Sequence, residues 1–283
     1  MENFTIENDG FFGKSFIPTD NKYPEKAMIA FIGSNGDFAN ACKLGEYFSN
    51  LGLTSIAIAY WNVESLPKVM TNLPLESVEN AAKYLKSKGF SKIGVCGISK
   101  GGELALLSAS MFHEINGVIA ISPNYAACIG FNGIKEVNHS TWTYKGKEIP
   151  YTKAHVSLGR AILKTLSAAE MTTNFIYEDA LAKVNPESII PVENISGAIL
   201  LVSAEYDSMW PSKHSCEKIM ERLNLNNFPY PHKHLNYKYA SHMILPFASN
   251  LNHLYKIERK NKIECQQSRD DLSKNIENWI LNW

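Results

Sequence analysis

The sequence is poor in the features that would make it anything but a globular domain. Cysteine is scarce and odd in number, at Cys42, Cys96, Cys128, Cys216 and Cys265, with wide spacings and no C-x-x-C pair. That excludes a disulfide framework and a zinc ribbon, and it suits reduced thiols in a cytoplasmic protein. Neither sign of charge is in excess, with 28 basic and 28 acidic residues, and no like-charge block reaches five. A nucleic-acid or membrane-surface partner therefore has no global electrostatic support. No run of 18 apolar residues occurs, so no membrane span is expected. The polar, acidic residues 1–9 carry no signal-peptide pattern. Internal repeats and low-complexity linkers are also missing.

What is present is a recurring unit, a short β-branched apolar run followed by a helical pattern. The runs fall at 27–32 (AMIAFI), 54–59 (TSIAIA), 91–96 (SKIGVC), 117–122 (GVIAIS) and 198–203 (AILLVS). A last strand is expected at 236–240. Helical spacing predicts helices up to Asn50, over 74–88 and over 103–112, and a closing helix over 271–283 with Leu272, Ile276, Trp279, Ile280 and Trp283 on its buried side. Strands without polar alternation, separated by helices, predict an α/β fold with a mostly parallel central sheet covered on both faces. Phe11, Phe12, Phe16 and Ile17 are placed to add antiparallel edge strands. At 283 residues a single α/β domain is expected. One connection, residues 124–194, is far longer than one crossover helix requires. Its Tyr, Trp and Gly content points to a cap, with Trp142 and Tyr144 as candidate pocket-lining aromatics; a plain surface insertion is the alternative.

The run at 91–96 leads into Gly97-Ile98-Ser99-Lys100-Gly101, which fits G-x-S-x-G, with a helix directly after it. Such a pentapeptide arises by chance in roughly one chain in ten of this length, so the strand–turn–helix setting carries the reading. A tight turn there presents a serine hydroxyl above the sheet, the nucleophile elbow of the α/β-hydrolase fold. The competing reading is a glycine turn with a capping serine. The oxyanion requires two backbone donors. One is expected from Lys100 N–H and the other from Ser34 or Asn35, in the loop GSNGD after the first apolar run; a tight turn with a helix cap is the alternative there. The Lys100 side chain itself is expected in solvent, without a role.

In this fold an acid and then a histidine follow the serine in chain order. Glu205 and Asp207 compete after the run at 198–203; Asp207 is preferred because it lies in the loop beyond the strand. Among His214, His232, His234, His242 and His253, only His242 directly follows the last expected strand. The pair His232/His234 lacks further ligands for a metal and reads as a solvated loop. No metal or organic cofactor is expected.

Four segments, GISKGGELALLSAS at 97–110, AYWNVESLPKVMTNLPLESVENAAKYL at 59–85, TYKGKEIP at 143–150 and IIPVENISGAILLVSAEYDSMW at 189–210, resemble the catalytic domain of acyl-CoA thioesterases and bile acid-CoA:amino acid N-acyltransferases. The resemblance runs from about Ala27 to His242. It implies a triad of Ser99, Asp207 and His242 and a small-molecule acyl thioester or ester substrate. Animal relatives carry an N-terminal β-sandwich domain for which this chain has no room. The transferase branch uses cysteine as nucleophile, so Ser99 implies hydrolysis. A general carboxylesterase and an amino acid N-acyltransferase are the enzyme alternatives, and a catalytically silent binding protein is the non-enzyme one.

Overall fold

The apolar runs become strands that are buried almost throughout, and alternate residues serve opposite faces. The computed structural model describes residues 1–34, 37–132, 137–155 and 158–283. In strand β3 (Lys26–Phe31), Ile29 and Phe31 point to one face while Met28 and Ala30 point to the other. The same division holds in β4 (Thr54–Ala59), β6 (Lys92–Ile98), β7 (Ile115–Ile121) and β10 (Ala198–Ala204). Because helices cover both faces, no position along these strands favours a polar residue.

The first face packs against α3 (Glu76–Ser87), α4 (Lys100–Met111) and α7 (Ser212–Leu225), through residues such as Val78, Leu85, Leu104 and Ile219. The second packs against α2 (Phe38–Asn50) and α9 (Lys262–Asn282), through Leu44, Phe48, Leu272, Ile276 and Ile280. Among the described residues the main sheet has the order β1 (Asn3–Phe4), β2 (Phe12–Phe16), β4, β3, β6, β7, β10 and β11 (His232–Tyr237). The short β1 (Asn3–Phe4) and β2 (Phe12–Phe16) add antiparallel at one edge, as the early phenylalanines predict, with α1 (Ile6–Asp9) between them. The remaining pairings in this sheet are parallel. This is the α/β-hydrolase architecture. No helix among the described residues is long and apolar enough to cross a membrane.

Two expectations are corrected. The last strand, β11, is His232–Tyr237 and not 236–240. It is an edge strand open to solvent on one side, so its sequence HKHLNY reads as polar loop. His232 and His234 therefore lie on it, and they point to separate partners, Tyr230 O and Ser203 Oγ. Helix α9 also begins nine residues earlier than its apolar stripe suggested.

The long connection falls into two parts. Its first part returns to the α4 face. There β8 (Trp142–Tyr144) pairs with β5 (Leu73–Pro74) and β9 (Lys147–Glu148) in a small second sheet. Its later part includes α5 (Leu158–Ala168) and α6 (Asn174–Leu181). Thr173 N and Asn174 N donate to Ser208 O (2.8 and 3.1 Å), and Thr173 Oγ1 donates to Met209 O (2.6 Å). This later part meets the loop that follows β10. The stretch then rejoins the sheet at β10, and α8 (Lys256–Lys260) precedes α9.

Candidate active site

Ser99 sits between β6 and α4 with φ 59° and ψ −123°. A non-glycine residue held there costs on the order of 1–3 kcal/mol, so the surroundings must enforce it. They do so through contact. A Cβ at Gly97 would lie 2.2 Å from Gly101 O, and one at Gly101 would lie 2.8 Å from Ile32 O. Ser99 N–H remains tied to Ile121 O (2.8 Å), and Ser99 O accepts from Glu103 N (3.0 Å). Ser99 is half-buried while its neighbours on both sides are buried. The first N–H groups of α4, beginning with Lys100, have no partner within the helix.

The loop after β3 lies against the serine. A Cβ on Gly33 would lie 2.8 Å from Ser99 Cβ and 3.3 Å from Ser99 Oγ. Only glycine lets that backbone come so close. Ser34 is exposed in the turn beyond it, and Asn35 lies outside the described residues. Asp37 caps α2 by accepting from Ala39 N (3.0 Å) and Asn40 N (3.4 Å).

Asp207 and His242 come together. His242 Nδ1 lies 2.9 and 2.8 Å from the two carboxylate oxygens, with both residues buried. The carboxylate also accepts from Met209 N (2.9 Å), Trp210 N (3.3 Å) and Ser212 Oγ (2.6 Å). Hydrogen bonds to a charged acceptor contribute about 1.5–3 kcal/mol each, so four donors hold this carboxylate firmly in the loop after β10. Glu205 takes a different partner, Lys213 at 2.7 Å, whose hydrogen bond lowers the Glu205 pKa. His242 lies in the loop after β11. Ser122 Oγ donates to its carbonyl (2.9 Å), and Trp210 stands edge-on to its ring at 6.1 Å. Among the described residues no hydrogen bond joins Ser99 Oγ to His242.

Lys100 departs most from expectation. Its side chain is not in solvent: Lys100 is 3% exposed, and Nζ meets Glu103 Oε1 and Oε2 at 3.0 and 3.1 Å. Glu103, fully buried, also accepts from Trp142 Nε1 (2.7 Å) and Cys128 N (3.2 Å). Trp142 is thus a fully buried core residue anchored to Glu103. Tyr144 packs tilted against Phe112 at 5.4 Å on the α4 face. The described cavities are lined by other residues. A groove of about 580 Å³ runs past Asp207 between Glu178, Tyr206 and Lys213. A small apolar recess beside Gly33 is lined by Phe38, Tyr60 and Trp61. Sequence reasoning missed Trp210 and the Lys100–Glu103 pair. The one available signal was a Lys and a Glu three residues apart on a helix start.

All five cysteines are free. Burial beside Glu103 pushes the Cys128 thiol up to about 12, so it is not a thiolate at neutral pH.

The family model described as BAAT / Acyl-CoA thioester hydrolase C terminal matches residues 73–254. The chain belongs to this family. The matched span contains Ser99, Asp207 and His242. Among its relatives, mouse acyl-coenzyme A thioesterase 1 is 32% identical over 242 residues, covering 82% of this chain and 51% of that protein. The human enzyme of the same name is 29% identical over 241 residues, covering 83% and 52%. Mouse acyl-coenzyme A amino acid N-acyltransferase 2 is 28% identical over 239 residues, covering 83% and 52%. The chain spans about half the length of the curated relatives it matches. Among solved structures, a putative dienelactone hydrolase from Klebsiella pneumoniae superposes with a TM-score of 0.58 at 12% identity, covering 100% of this chain and 98% of that one. An esterase from Pyrococcus furiosus gives 0.54 at 14%, covering 100% and 97%. These two show the fold.

Proposed function

We propose that the chain is a serine hydrolase that cleaves an acyl thioester of the acyl-CoA kind, or a related ester. The observation that carries this is a buried His242–Asp207 pair at the same carboxyl end of the sheet as a serine held in an elbow. His242 accepts the Ser99 proton as Oγ attacks the acyl carbon, and Asp207 fixes the imidazole tautomer and stabilises its cation. Lys100 N–H and a donor from the loop after Gly33, Ser34 or Asn35, receive the developing oxyanion. Collapse expels the thiolate or alkoxide, which takes the proton from His242. Water, activated by the same histidine, then hydrolyses the acyl-enzyme. Catalytic hydrogen bonds often tighten only once substrate is bound, so the Ser99–His242 hydrogen bond is expected to form in the complex. Residues 169–181, which hold the acid loop, are proposed to roof the site.

Ser99 in place of a cysteine favours water over an amine as acyl acceptor, because an amine attacks a thioester more readily, relative to water, than an oxygen ester. The test is a panel of acyl-CoAs and p-nitrophenyl esters compared by kcat/KM, with glycine or taurine present and products separated. Free acid is expected as the product. Amide as the main product would replace this reading with acyl transfer.

A further inference from the structure

Immediately behind Ser99 lies a buried ion pair that the reaction does not consume. We propose that Lys100 and Glu103 are a positioning pair that sets the oxyanion donor and His242; this rests on the reading of Ser99, Asp207 and His242 given above. An apolar pair would fill the same space without the desolvation cost of two buried charges. What the ion pair adds is direction.

The need for it begins in the sequence. The first turn of α4 is Lys100-Gly101-Gly102-Glu103. Both glycines are imposed by packing, since a Cβ on Gly101 would press on Ile32 O and one on Gly102 on Ile121 O, each at 2.8 Å. Glycines loosen a helix start, and this start carries the N–H expected to bind the oxyanion. Lys100 and Glu103 bridge the two glycines at i,i+3, so the ion pair braces the one turn that has no other side chains. Glu103 is in turn fixed from outside the helix by Trp142 Nε1 and Cys128 N.

The other end of the pair reaches the acid and the base. Lys100 Nζ donates to Cys128 O (3.4 Å) and stands over the Trp210 ring, 5.8 Å from its centroid. Trp210 meets the imidazole of His242, and its backbone N–H donates to Asp207. Its indole N–H donates to Ser122 O (2.8 Å), and the Ser122 hydroxyl holds the His242 carbonyl. One cation thus contacts the helix start, the long insertion and the loop of the acid. Shifting it displaces the oxyanion donor and the histidine together.

A purely structural pair and a positioning pair differ in one respect. Removing both charges relieves the penalty of an unpaired buried charge, so Tm recovers in either case. Only a positioning role leaves kcat low. The experiment compares Lys100→Met, Glu103→Gln and the double variant by Tm, kcat and KM on the best ester or acyl-CoA substrate. Each single variant is expected to lose Tm. The double variant is expected to regain most of it while kcat stays about 10- to 100-fold below wild type, the scale of a misplaced catalytic group, with KM little changed. A double variant that regains both Tm and kcat overturns the proposal. Trp210→Phe keeps an aromatic side chain but removes the indole N–H together with its five-membered ring, and it decides the matter if the charge variants do not fold. A kcat lowered on the scale of the double variant with KM little changed is expected, and wild-type kcat overturns the link to His242. Ser99→Ala run beside them separates the two readings. If it is as active as wild type, the nucleophile reading fails. If it is inactive while the double variant matches wild type, only the positioning pair fails.

Discussion

Two carboxylates stand two residues apart after β10, and their partners separate them. Glu205 faces Lys213 and Asn236 at the surface, whereas Asp207 is buried against His242 and two backbone N–H groups. Asp207→Asn keeps the volume but removes the charge that stabilises the imidazolium. A loss of about 10³- to 10⁴-fold in kcat is expected, by analogy with triads whose aspartate is replaced. Glu205→Gln, measured by the same assay, is expected to keep wild-type kcat; equal losses in both would remove the distinction. Position alone favoured Asp207 and His242 in the sequence, because each lies in a loop past a strand end. The burial of Lys100 was not legible. Its partner Cys128 lies 28 positions away, Trp142, which holds Glu103, lies 39 from that glutamate, and a lysine after the nucleophile looks like any solvated helix start. Trp142 was misread for a related reason, since a large aromatic with one N–H serves a core as readily as a pocket when a buried carboxylate waits for that N–H.

Elements covered on both faces were legible, and the element with an open face was not. The central strands are continuous apolar runs and were found within a few residues, as was the helix start after Ser99. Strand β11 carries its polar residues because one side meets solvent, so its register was missed. That strand also yields a pH prediction. Burial lowers the His234 pKa below its ordinary value, near 6.5 for a free imidazole. Ser203 Oγ donates to Asn236 Oδ1 (2.9 Å) and so accepts from His234 Nε2 (2.7 Å). Below pH ~6.5 the unfolded chain takes up a proton that native His234 refuses, so unfolding is favoured as pH falls. The contribution is complete above that value and is lost as pH drops from it toward the folded pKa. Urea midpoints at pH 7.5 and 5.5 are expected to differ less in His234→Gln than in wild type. An identical pH response in both would show that His234 carries no such linkage.

At the scale of the whole molecule, the sheet is pinned at the end remote from Ser99 and shaped by loops at the other. Trp283 packs where Gly94 and Gly117 leave room, so that a Cβ on Gly117 would lie 2.3 Å from the indole. Lys26 Nζ donates to Ile280 O (2.6 Å) and Lys92 Nζ to Trp283 O (2.8 Å). Helix α9 thereby closes the base of the strands. Their carboxyl ends carry Ser99, Asp207 and His242, where parallel α/β sheets bind ligands. The alternation of apolar runs with helices made this architecture legible. The path of residues 124–194 was not, because a long insertion shows its composition and not which face it returns to. The central claim is that the acyl group passes through Ser99. Acid-quenching the protein during turnover of an acyl-CoA and mapping the modified peptide by mass spectrometry tests it most directly. The expected result is one acyl group on Ser99, absent from Ser99→Ala. Acid release with the acyl group on another residue, or with Ser99→Ala turning over at the wild-type rate, would contradict it.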